Sequence, residues 1–204
     1  MSAKTDNGGD VRTALVASEH FYGLSRKLLD DIDSKRIPMS IEFVGAISAS
    51  ATNMALAVEL LLKAAALTYG GIPKREHDLI VLFDQLPDHV RKDIEGRYDA
   101  FPVPADGVTT SFALDVFGST PVAKEHGGAG SRVSEPRDDS LRAVLAHVKD
   151  AFVTWRYLHE KGDPKKVVRV EYPFHHLGLV RDSVREHLYA HYFGHELRDE
   201  INPK

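Results

Sequence analysis

The chain has 204 residues, 43% of them hydrophobic, enough for one domain with its own core. Against 26 Lys and Arg stand 30 Asp and Glu, a formal net charge of -4, so no global electrostatic pull draws the chain to nucleic acid and RNA contact needs a local basic patch. The lack of cysteine excludes a disulfide framework, thiol catalysis and thiolate metal centres.

Residues 1–9 are polar and glycine-rich, which predicts a flexible tail. They carry no apolar leader core, and the expected location is the cytoplasm. Asp10 can cap a first helix running to about Lys35, whose apolar positions Val11, Leu15, Phe21, Leu24, Leu28, Leu29 and Ile32 follow a helical period. Pro38 breaks it, and Ser40 is an N-cap candidate for a second helix that stops at Gly70-Gly71. This helix is apolar on most faces, with Phe43, Ile47, Met54, Val58, Leu61 and Leu62, the pattern of a central buried helix. Small residues such as Gly45, Ala51 and Ala57 let neighbours approach closely. Its most apolar run, Met54–Tyr69, is too short and too charged to span a bilayer, so no membrane partner is expected.

After Pro73 a short helix holds Leu79, Ile80, Leu82, Phe83 and Leu86, and Pro87-Asp88 starts another to about Tyr98. Residues 99–137 concentrate prolines and glycines and read as a long loop, with a short ordered piece at 109–117. A helix follows from Asp138 or Asp139 to about Glu160, with Leu141, Val144, Leu145, Val148, Phe152, Trp155 and Leu158 on its apolar stripe. Lys166 to Tyr172 alternates in part, as a short extended piece would. Pro173 opens a last helix to about Leu197, and residues 199–204 form a tail. The expectation is one domain, residues 10–198: an all-α, antiparallel helical bundle of four to six helices with a long loop insertion.

Glu59 and Lys63 are the charges of the Met54–Tyr69 run and stand at i,i+4, on one face, as an ion pair. Buried charge needs a partner, and Arg156 and Glu160 offer the same spacing on the helix after the loop. His77 and Asp78 lie just past the glycine pair and add an imidazole and a carboxylate to that region. Two readings stand side by side: polar glue that fixes helix register, or a pocket in which His77 moves a proton.

Ala57-Val-Glu-Leu-Leu-Leu-Lys63, Gly70-Gly71, His77-Asp78-Leu79 and Leu86-Pro87 together resemble the signatures of HEPN-like proteins, and the segment from Phe152 to Glu160 looks like a later helix of that group. The resemblance covers roughly residues 43–87 and 141–160. It implies an antiparallel bundle, often a homodimer. It also implies either a metal-independent ribonuclease of a toxin, phage-defence or RNA-processing system, or a non-catalytic module that binds a partner protein or a nucleotide.

Catalytic members carry an arginine followed, after about four to six residues, by histidine on a late helix. Arg156 meets His159 too soon, but the last helix offers Arg181 with His187 and Arg185 with His191. Such a pair would polarise a scissile phosphate and transfer a proton without metal. Arg185 and His191 have the aromatic neighbours Tyr189 and Tyr192, which could stack a base. His187, His191 and His195 recur at i,i+4,i+8. Two of them could chelate a metal, but a third ligand on one straight helix face is poor geometry, so the reading is of no metal and no cofactor.

Overall fold

The computed structural model describes residues 8–34, 36, 41–72, 76–102, 111–117, 120–122, 140–149 and 167–193. Among them six helices form an all-α bundle: α1 (Gly8–Asp33), α2 (Ile41–Thr68), α3 (Leu79–Asp84), α4 (Asp88–Asp99), α5 (Leu141–His147) and α6 (Phe174–Phe193).

Helix α2 is the axis of the bundle and touches α1, α3 and α6. Ile47, Ala51, Val58, Leu61, Leu62, Ala64 and Ala65 on it are fully buried. Its length and hydropathy match those of a membrane span, and its apolar faces are covered by the neighbouring helices. Small residues set the approach of α1. The hydroxyl of Ser18 donates to the Ala57 carbonyl at 2.9 Å, and that of Ser25 to the Ser50 carbonyl at 2.9 Å. The Ser25 and Ser50 hydroxyls also meet at 2.9 Å. Because position 18 faces 57 and position 25 faces 50, α1 and α2 are antiparallel.

Helix α6 lies along α2 in the same direction. Tyr172 donates to the Ala51 carbonyl at 2.8 Å near one end, and Tyr192 meets the Thr68 hydroxyl at 2.9 Å at the other. Helix α4 covers α6 with the opposite sense, from Tyr98 against His176 (2.9 Å) to Asp93 against His187 (2.6 Å).

The capping chemistry is local. Gly70 adopts a φ of 75°, where a Cβ is strained. Gly71 N–H reaches the Ala66 carbonyl (2.8 Å) and Gly70 N–H the Leu67 carbonyl (3.1 Å), the paired bonds of a Schellman stop. A Cβ on Gly71 would stand 3.0 Å from the Ala66 carbonyl oxygen. Asp78 starts α3 by accepting from the amides of Ile80 and Val81.

The 99–137 segment is more than a loop. It contributes β1 (Ser111–Phe117) and β2 (Thr120–Val122), and residues 167–173 supply β3 (Val167–Pro173), in a three-stranded antiparallel sheet of order β2-β1-β3. Ser111 stands opposite Pro173 and Phe117 opposite Val167. Pro173 therefore ends a strand instead of opening the last helix, which starts at Phe174. A strand acquires its backbone partners from a distant segment, and periodicity in either segment alone does not reveal them.

Substituting Ser50→Leu places a bulky side chain where two helices meet through hydroxyls and leaves Ser25 short of a partner. The expected loss is about 1–3 kcal/mol, seen as a lower urea midpoint at unchanged slope.

Candidate functional site

Two polar clusters are built at the last turns of α2. In the first, Glu59 is 3% exposed in an otherwise apolar helix. Lys63 donates to its Oε1 at 2.6 Å, and His77 approaches both carboxylate oxygens through Nδ1 at 3.0 and 3.1 Å. The i,i+4 pair of the sequence is thus real, and His77, which follows the Schellman stop in the chain, joins it. Asp78 does not take part, since its carboxylate is committed to capping α3. Arg156 and Glu160 lie outside the described residues. With its carboxylate held by Lys63 and by the His77 ring, this cluster is suited to fixing register more than to turnover.

The second cluster gathers side chains from α2, α4 and α6 around Tyr69, the residue at the C-cap of α2. The Tyr69 hydroxyl lies 2.8 Å from Nε2 of His187 and 3.3 Å from Nδ1 of His191. Nδ1 of His187 bonds Oδ2 of Asp93 at 2.6 Å, and the same oxygen accepts from Nε of Arg97 at 2.7 Å. Arg97 also reaches Glu186 at 3.9 Å. The rings of His89, His187 and His191 all stand within 5.2–5.7 Å of the Tyr69 ring. His187 is 7% exposed, whereas His191 and Tyr192 are on the surface.

The electrostatics follow from this geometry. Burial pushes the Asp93 carboxyl up, but hydrogen bonds from Arg97 and His187 outweigh it and hold the group below its ordinary value. Burial pushes the His187 imidazole down, the Asp93 contact pulls it back in part, and Arg97 and His191 add to the depression; the net direction is down. Burial raises the Tyr69 phenol, and Asp93 and Tyr192 raise it further, so it stays protonated at neutral pH.

Neither arginine of the sequence pairs joins these histidines. Arg181, 4% exposed, and Arg185 grip the two oxygens of one α1 carboxylate, Glu19, at 2.5 and 2.6 Å. Arg181 also pairs with Asp182 at 2.5 Å and lies over the Tyr22 ring, and Arg185 lies over Tyr189. Helical geometry gives the reason. Residues at i,i+6 are rotated by roughly 240°, so each arginine faces α1 while its histidine faces α2 and α4. His187 and His191, at i,i+4, share a face. His195 lies outside the described residues, and no three His, Asp or Glu among the described ones gather to hold a metal.

Tyr69, Asp93, Arg97 and His89 were not singled out from the sequence. A signal existed: His89, Asp93 and Arg97 form an i,i+4,i+8 polar stripe on α4. Its facing partner on α6 is set by the fold.

Two measurements probe these clusters. Lys63→Met removes one partner of a buried carboxylate and should cost about 3 kcal/mol, while Glu59→Gln with Lys63→Met should cost less because the buried charge leaves with its partner; denaturant titration reads both. His187 has a folded pKa below its ordinary value of 6.5, so the unfolded chain binds the proton first as pH falls. Its contribution is complete above 6.5 and is lost progressively on acidification towards the depressed value. His175, lowered by burial and by His176, acts with the same sign. Unfolding free energy should fall between pH 7 and pH 5, and His187→Asn should flatten that slope without abolishing it. In comparisons with family models, characterised proteins and solved structures, nothing matches this chain.

Proposed function

We propose that the chain is a HEPN-like, RNA-directed protein of the toxin or defence type that cleaves RNA without a metal ion, with His191 as the proton-transfer group. The observation that carries this reading is the state of His191. It is exposed, and among the described residues its hydrogen bonding runs through Nδ1 alone. Nε2 has no hydrogen-bond partner among the described residues, on an exposed ring held through Nδ1 by Tyr69. His187, by contrast, has both ring nitrogens engaged and is buried. The same contrast separates the arginines: the Arg185 side chain is 25% exposed and Arg181 is enclosed. Of the two sequence pairs, Arg185 and His191 are therefore the more accessible residues, although the structure turns them to different helices.

In the proposed step, Nε2 of His191 takes the proton of a ribose 2′-OH. The oxygen attacks the adjacent phosphorus, the bond to the 5′-oxygen breaks, and that oxygen leaves with a proton from water. Tyr192, 43% exposed beside His191, offers a ring on which a base can stack, whereas Arg185 is turned to α1 and has to leave Glu19 before it can offset phosphate charge.

A second reading has its own support. Arg97, Arg181 and Arg185 are each bound to a carboxylate, and the chain is acidic overall. That suits a non-catalytic HEPN-like module which dimerises and binds a partner protein or a nucleotide.

Incubating the purified chain in EDTA with a mixed pool of structured and unstructured RNAs separates the two. Cleavage leaving 2′,3′-cyclic phosphate ends, reduced about 100-fold or more by His191→Gln and also by Arg185→Ala, is the expected result. No cleavage by the unaltered chain moves the assignment to the binding module.

A further inference from the structure

We infer that Asp93 fixes the tautomer of His191, three hydrogen bonds away, through a one-way chain that passes through His187 and Tyr69. The direction is forced at its buried end. An ionised carboxylate only accepts, so the 2.6 Å bond from His187 to Asp93 places the His187 proton on Nδ1. The Arg97 bond to the same oxygen favours the ionised form. Neutral His187 then has a bare Nε2, which accepts the Tyr69 proton at 2.8 Å. The phenol has one proton and has now donated it. At 3.3 Å its oxygen can only accept from Nδ1–H of His191. A neutral His191 has one ring proton, and with that proton on Nδ1 its lone pair sits on Nε2 of an exposed ring.

A free neutral histidine side chain prefers its proton on Nε2. The chain of bonds selects the other form, the one able to accept a proton from outside. Asp93, His187 and Tyr69 are thus positioning residues for His191; that they serve a base rests on the ribonuclease reading, whereas the tautomer itself does not. The groups facing His187 are Asp93 and Arg97 from α4, Tyr69 from α2, and Glu186 (through Arg97) and His191 on its own helix. The depressed affinity of His187 for a second proton keeps the chain in this direction at neutral and alkaline pH. A second proton on His187 reverses it: Nε2–H donates to the phenol oxygen, the phenol proton turns to Nδ1 of His191, and the His191 proton moves to Nε2.

The test is ring-nitrogen NMR on the full 15N-labelled chain at pH 8, with His191 assigned by the signals lost in His191→Gln. The expected spectrum has a protonated Nδ1 and an unprotonated Nε2 on His191. Tyr69→Phe cuts the chain and should return His191 to the Nε2–H form while His187 keeps its proton on Nδ1, which also shows that the fold is intact. Asp93→Asn supplies an amide that can donate as well as accept, and should shift His191 towards Nε2–H. An Nε2–H tautomer in the unaltered chain overturns the inference, as does an Nδ1–H tautomer that persists in both variants. No RNA enters this readout, so a confirmed tautomer without RNA cleavage removes the ribonuclease reading alone, and cleavage with the Nε2–H tautomer removes the positioning chain alone.

Discussion

A helix that is apolar on nearly every side has to be surrounded, and α2 imposes this constraint on the rest of the molecule. Ile47, Ala51, Val58, Leu61, Leu62, Ala64 and Ala65 are closed to water, while the line of Ala49, Thr52, Asn53, Leu56, Leu60 and Lys63 keeps some exposure. Helix α1 meets it through serines and alanines, close enough for side-chain hydroxyls to reach backbone carbonyls of the facing helix. Helix α6 takes another side, anchored by the wholly buried Tyr172, whose hydroxyl finds the Ala51 carbonyl. Burial leaves that phenol raised well above its ordinary value, so it acts only as a neutral hydrogen-bond partner.

The polar chemistry collects where this apolar helix ends. The Schellman stop at Gly70-Gly71 turns the chain sharply and leaves Tyr69 at the end of α2, with its ring against α4 and α6. Within a few residues the surroundings change from a closed apolar interior to a surface carrying His89, His191 and Tyr192. A hydrogen-bonded chain that crosses this boundary has a buried end, where its direction is fixed, and an exposed end, where a solute can meet it. Glu59 with Lys63 and His77 is the other cluster at this end of α2: a buried carboxylate held by Lys63 and by the exposed His77 ring.

The division of labour along α6 is geometric. One helix presents arginines to α1 and histidines to α2 and α4, because i,i+4 neighbours share a face and i,i+6 neighbours do not. Glu19 pairs with both arginines and Asp182 with Arg181 as well, so two carboxylates stand against the two guanidinium groups and these arginines give no broad basic surface for a phosphate backbone. RNA recognition here would depend on the exposed edge of Arg185 and on the rings beside His191.

Much of the bundle was legible in the sequence because it depends on short-range rules. The apolar spacing of α1, the all-round apolarity of α2, the glycine pair that ends it and the i,i+4 pairing of Glu59 with Lys63 are properties of a single helix and its stop. The small sheet was only partly legible: residues 109–117 read as a short ordered piece and 166–172 as an extended one, but nothing local says that each is the other's partner. The Tyr69 cluster was not legible as a unit. His187 and His191 stood out as residues, yet their partners Tyr69 and Asp93 lie far away in sequence, and the arginines that spacing pairs with them turn to another helix. Periodicity determines which residues share a face of one helix. Which face meets which, and therefore which proton donor meets which acceptor, is decided only when the helices pack.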